Sequence, residues 1–171
     1  MRHRNTMLCA HLSQRAVRPP GCGRQFEMQP ARRPIMSSST PLRVLLVEDS
    51  SLLAARLSEL IRRLPDVDLI ATVQTESEAV SRINAAVPDV LILDLHLRSG
   101  SGFGVLRSLA REKVNVRPKV IILTNFGLPE YRREAEAFGV EAFLDKSRDY
   151  FRLPSLLTGF AQERNTSLNH H

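Results

Sequence analysis

Four short, unbroken apolar runs punctuate the chain, and each stops at polar residues. Arg43-Val44-Leu45-Leu46-Val47 ends in Glu48-Asp49, Val90-Leu91-Ile92-Leu93 in Asp94, Val120-Ile121-Ile122-Leu123 in Thr124, and Ala142-Phe143-Leu144-Asp145 in Lys146. Runs this short, without apolar-polar alternation, predict strands covered on both faces, as in a parallel sheet. Asp68-Leu69-Ile70-Ala71-Thr72-Val73 predicts a further strand, second in chain order. Between the strands the period changes. Leu53, Leu57, Leu60, Ile61 and Leu64 fall at helical spacing behind an N-cap at Ser50 or Asp49, and Pro65-Asp66 stops that helix. Thr75 with Glu78 three residues on forms a capping box. Gly100-Ser101-Gly102 precedes a helix bearing Phe103, Leu106 and Leu109. Pro129 suits the first turn of a helix that ends at a C′ glycine, Gly139. A last helix is predicted over 149–162, with Leu153, Leu156, Leu157 and Phe160 inward and Pro154 in its first turn.

Five strands alternating with five helices predict an α/β fold, a parallel sheet with helices on both faces. In such a sheet ligands bind just beyond the carboxyl ends of the strands. Glu48, Asp49, Asp94, Thr124 and Lys146 would converge there. Three carboxylates, a hydroxyl and an ammonium suit one divalent metal ion and one phosphoryl group.

Charge divides the chain. Residues 1–40 hold seven arginines and one acid, whereas residues 41–171 hold 17 basic and 17 acidic residues. The overall pI of 10.1 therefore comes from the N-terminal segment, and the predicted domain lacks the basic balance of a nucleic-acid binder. Four prolines and no regular period make residues 1–40 an expected disordered extension and linker, with Met36 an alternative start. Residues 41–163 form the expected domain and residues 164–171 a tail. Cys9, Cys22, His3 and His11 lack zinc-site spacing. No run is long enough to span a membrane, so a cytoplasmic protein is expected.

Val-Glu-Asp-Ser at 47–50, Asp-Leu-His-Leu at 94–97, Leu-Thr-Asn at 123–125 and Phe-Leu-Asp-Lys at 143–146 stand in order at four strand ends. Over residues 42–162 this pattern resembles the receiver domain of two-component response regulators. The resemblance implies a flavodoxin-like strand order 2-1-3-4-5, for which the first and third strands are neighbours. Asp49 and Asp94 would then face each other, and a hard cation with oxygen ligands would relieve their repulsion. The resemblance further implies that Asp94 is the phosphoacceptor. Asp49, Asp94 and the backbone carbonyl of His96 would bind Mg²⁺ directly, and Glu48 through water. Many members carry Asp where this chain has Glu48. Lys146 would neutralise phosphoryl charge. Thr124 would swing its hydroxyl to the phosphoryl group while Phe143 acts as the accompanying aromatic switch. The His96 side chain and Phe126 occupy positions that tune hydrolysis. Members often have a cis-bonded proline at the place of Ser147.

Taken singly, these residues have ordinary structural readings. Glu48-Asp49 reads equally as a helix cap, Thr124 as a β-branched strand residue, Phe143 as core, and Lys146 as a solvated lysine.

The implied function is a single-domain response regulator rather than an enzyme. It would assist its own phosphorylation and dephosphorylation, taking its phosphoryl group from a histidine kinase or histidine phosphotransfer protein. Kinase specificity is expected on the first helix, around Leu53, Arg56, Leu57 and Leu60. A downstream protein, or a second copy in a homodimer, would engage the face made by helix 4, strand 5 and helix 5; no DNA-binding domain is expected. Phosphorylation-independent docking is the main alternative. An aspartate-dependent phosphohydrolase of the haloacid dehalogenase type would need an acid two residues after the nucleophile, where His96 stands. A flavodoxin-like cofactor binder would need a phosphate loop in place of Glu48-Asp49.

Overall fold

A computed structural model describes residues 40–111 and 117–168, with the side chain of Leu168 excepted. The features expected of residues 1–39, including Cys9, Cys22, His3, His11 and Met36, lie outside the described residues, as do 112–116 and 169–171.

The elements alternate as β1 (Leu42–Val47), α1 (Ser51–Arg62), β2 (Val67–Val73), α2 (Glu76–Ala85), β3 (Val90–Leu93), α3 (Gly102–Arg111), β4 (Lys119–Thr124), α4 (Pro129–Ala137), β5 (Ala142–Asp145) and α5 (Leu153–Leu168). A 3₁₀ turn, Tyr150–Arg152, leads into α5. All strands are parallel, in the order β2-β1-β3-β4-β5. That is the flavodoxin-like order expected.

The residues form these elements for local reasons. Ser50, not Asp49, caps α1, its side chain accepting from the Leu53 amide at 3.4 Å. The capping box of α2 is complete, with Thr75 and Glu78 each serving the other's backbone. Asp66, at φ 57°, turns the chain from α1 into β2, a conformation Asp tolerates better than most residues. Gly139, at φ 73°, takes the left-handed C′ position after α4. Pro154 lies in the first turn of α5, which runs to Leu168, six residues beyond the expected end. The expected start at 149 is instead the 3₁₀ turn. Among the described residues no peptide bond is cis, so Lys146–Ser147 is trans.

Successive strand residues face opposite layers. Leu45, Val47, Leu91, Leu93 and Ile122 pack with Ala79, Ile83, Val105, Leu109 and Ala135 of α2, α3 and α4. Val44, Leu46, Ile92, Ile121, Leu123 and Leu144 pack with Leu57, Ile61, Leu153 and Leu157 of α1 and α5. Each fully buried Leu or Ile contributes about 1.5–3 kcal/mol. This double-sided burial fixes the strand ends that carry the polar residues. Register does the rest: Val47 sits opposite Leu93, and Thr124 opposite Asp145.

Candidate functional site

Glu48 and Asp49 follow β1, Asp94 follows its neighbour β3, Thr124 ends β4, and Lys146 follows β5. The sheet order therefore brings all five to one edge. Carboxylate oxygens of Glu48, Asp49 and Asp94 lie within 4.8 Å of one another. Glu48 is 1 % exposed, Asp94 5 % and Thr124 fully buried, whereas Asp49 is half-buried. Lys146 Nζ reaches Glu48 Oε2 at 2.7 Å and Asp94 Oδ2 at 2.6 Å, and its own side chain is only 6 % exposed. Buried like charges raise each other's pKa, and the ammonium between them offsets that repulsion. Burial is still the largest influence on Glu48. It pushes that carboxyl above its ordinary value, with Asp94 adding to the rise and Lys146 opposing it.

Backbone donors hold the second carboxylate oxygens of Glu48 and Asp94. The Ser50 amide donates to Glu48 Oε1 at 3.2 Å, and the His96 amide to Asp94 Oδ1 at 3.2 Å. Thr124 Oγ1 accepts from the Phe126 amide at 3.2 Å, and the Thr124 carbonyl accepts from the Lys146 amide at 2.9 Å. The His96 side chain is exposed and lies against Phe126, with ring centroids 3.8 Å apart; Tyr131 follows at 6.0 Å from His96. Phe143 is buried in the core at 6 % exposure, and the Arg132 guanidinium lies 4.5 Å from its ring centroid.

Glu48, Asp49, Asp94 and Lys146 thus form one cluster, with His96 and Thr124 tied to it through backbone hydrogen bonds, while Phe143 packs in the core. Sequence reasoning missed three supports. Arg132 also donates to the Phe143 carbonyl at 3.4 Å. Asp145 accepts from the Ser147 amide at 2.7 Å and from its hydroxyl, while the Asp145 amide donates to Asp149 Oδ2 at 3.2 Å, so the turn carrying Lys146 is held by side chains. Glu76 accepts from the Ser101 amide at 2.8 Å. Of these only Asp145 carried a sequence signal, an Asp two residues before a Ser at a strand end.

The donor set tests well against a divalent cation. Hard carboxylate oxygens, gathered from two adjacent strand ends and partly shielded from water, are what Mg²⁺ or a similar ion takes.

Residues 44–158 match the family model of the response regulator receiver domain. With the parallel 2-1-3-4-5 sheet and the acidic strand-end cluster, this places the chain in the response regulator receiver family. The DNA-binding transcriptional activator DevR/DosR of Mycobacterium tuberculosis is 30% identical over 105 residues, 61% of this chain and 48% of that protein. A protein-glutamate methylesterase/protein-glutamine glutaminase of Nitrobacter winogradskyi is 36% identical over 76 residues, 44% of this chain and 18% of that protein. A crystal structure of a DNA-binding response regulator of the LuxR family from Staphylococcus aureus superposes with a TM-score of 0.61 at 27% identity, covering 72% of this chain and 98% of that one. The chain therefore spans about half the length of the first curated relative and about a fifth of the second. Among the described residues no helix is long and apolar enough to cross a membrane.

Proposed function

We propose that this protein is a phosphoacceptor switch, with Asp94 receiving a phosphoryl group from a phosphohistidine on a histidine kinase or phosphotransfer protein. A carboxylate oxygen of Asp94 attacks phosphorus, the P–N bond to the donor imidazole breaks, and the imidazole leaves with the bonding pair. The observation that carries this reading is the Lys146 ammonium 2.6 Å from Asp94 inside a buried acidic cluster. A carboxylate already paired with a cation can take on a dianionic group without stranding charge. Glu48, Asp49, Asp94 and the His96 carbonyl would hold Mg²⁺, which supplies charge neutralisation at the phosphoryl oxygens when bound. Lys146 exchanges one carboxylate contact for a phosphoryl oxygen. Thr124, fully buried with its hydroxyl accepting from the Phe126 amide, would turn toward the new group.

In this reading the protein is not an enzyme in its own right and works in the cytoplasm. The hydroxyl of Thr124 and the ring of Phe143 pass the change to the surface of α4, β5 and α5, where a downstream protein or a second copy binds. Output passes through that surface.

The test is intact mass after incubation with acetyl phosphate and Mg²⁺. One phosphoryl adduct, lost in chelator and in Asp94→Asn, supports the reading. A protein that gains no adduct and binds no beryllofluoride supports phosphorylation-independent docking instead.

A further inference from the structure

The loop between β3 and α3 carries His96 and begins at Asp94, yet its far end is held by a residue of another helix. Glu76 opens α2. Its amide donates to the Ser99 carbonyl at 3.0 Å, and its Oε2 accepts from the Ser101 amide at 2.8 Å. Ser101 pairs with His96 in an isolated antiparallel bridge and caps α3, its hydroxyl accepting from the Gly104 amide at 3.0 Å. The Gly102 amide donates to the Leu95 carbonyl at 3.0 Å. A chain of contacts thus runs from Glu76 through Ser101 to His96 and Asp94.

Two glycines make the approach possible. A Cβ at Gly100 or Gly104 would overlap the Glu76 side chain, and Gly100 also holds φ +83°, which glycine adopts without strain. The Glu76 carboxylate lies between the first turns of α2 and α3, where the helix dipoles favour a negative charge.

We infer that Glu76 is a positioning residue for the cation site. By fixing residues 95–101, it keeps the His96 carbonyl and the Asp94 carboxylate in a single arrangement and so sets divalent-cation affinity. The inference rests on the metal-assisted reading proposed above. It concerns a side chain that touches neither the metal nor the phosphoryl group.

The experiment is Mg²⁺ titration calorimetry on the full chain, alongside thermal unfolding. Residues that hold metal ligands in place are worth roughly 10–100-fold in affinity. Glu76→Ala is therefore expected to weaken Mg²⁺ binding by about tenfold. Glu76→Gln keeps an acceptor for the Ser101 amide and recovers most of the affinity. Gly104→Ala, whose new methyl displaces the carboxylate, weakens binding when Glu76 is present and adds nothing in the Glu76→Ala background. That variant keeps the test decisive if Glu76→Ala does not fold. Wild-type binding matched by Glu76→Ala, or additive effects of the two substitutions, overturns the role of Glu76. A wild-type protein that binds no Mg²⁺ overturns the site reading itself, and this inference with it.

Discussion

The imidazole of His96 lies against the ring of Phe126, with centroids 3.8 Å apart and planes inclined by 32°. The two residues follow β3 and β4, each two positions beyond a site residue, Asp94 and Thr124. In the proposed switch both rings would border the phosphoryl group on Asp94. Removing either ring admits water to an aspartyl phosphate. His96→Ala and Phe126→Ala are each expected to shorten its lifetime several-fold, and the double variant to do little more, because one stack is lost in all three. Loss of the phosphoryl adduct over time, followed by mass, checks this.

Glu48 gives a pH prediction. Burial holds its carboxyl above the ordinary value of 4.5. Such a group is protonated more readily folded than unfolded. Its unfavourable contribution is absent below the unfolded pKa, grows as pH rises from the unfolded pKa to the folded one, and is complete above the folded one. Glu48→Gln is therefore expected to raise the thermal midpoint in chelator at about pH 7, and the advantage to vanish near about pH 4. Added Mg²⁺ should stabilise the wild type more than the variant. Melting curves across pH, with and without Mg²⁺, decide it.

The Asp145 turn behaves in the opposite sense. Hydrogen bonds from the Ser147 hydroxyl and amide hold the Asp145 carboxyl below its ordinary 3.8. Its contribution is present above that value and is lost as pH falls through the folded pKa. Asp145→Ala is expected to lower the unfolding midpoint at neutral pH, with the gap to wild type closing in acid. Because this turn carries Lys146, the variant should also take up phosphoryl groups more slowly from acetyl phosphate at saturating Mg²⁺.

Arg132 ties α4 to β5 through Phe143, over whose ring the guanidinium lies at 4.5 Å. A cation–π contact made by an exposed arginine is worth about 0.5–1 kcal/mol. Arg132→Ala is expected to cost about that in denaturant unfolding and to let the aromatic ring at 143 sample a second rotamer. Fluorine NMR on fluorophenylalanine incorporated at 143 would show a second or broadened resonance.

The strand ends were legible because burial on both faces leaves a plain sequence trace: an apolar run that stops at a charge. Thr75 and Glu78 were legible because a capping box is local. The choice between Ser50 and Asp49 as cap of α1 was not, since both side chains can accept, and the Glu48-Asp49 pair is drawn to the acidic cluster instead. The six further residues of α5 lack apolar periodicity, so nothing in the pattern announced them. The His96–Phe126 stack and the Glu76–Ser101 bond are long-range, arising only once β3 lies beside β4 and α2 beside α3. Phe143 looked equally like core and like a moving part; its place in the core gives the first role directly and leaves the second to experiment.

In the proposed switch Asp94, and no other carboxyl, carries the phosphoryl group. Borohydride reduction of the acyl phosphate converts the modified aspartate to homoserine, which peptide mass spectrometry locates. Homoserine at position 94, formed only after treatment with acetyl phosphate and Mg²⁺, is the expected result. Homoserine at position 49 or elsewhere, or an adduct that survives reduction unchanged, would rule out Asp94 as the phosphoacceptor.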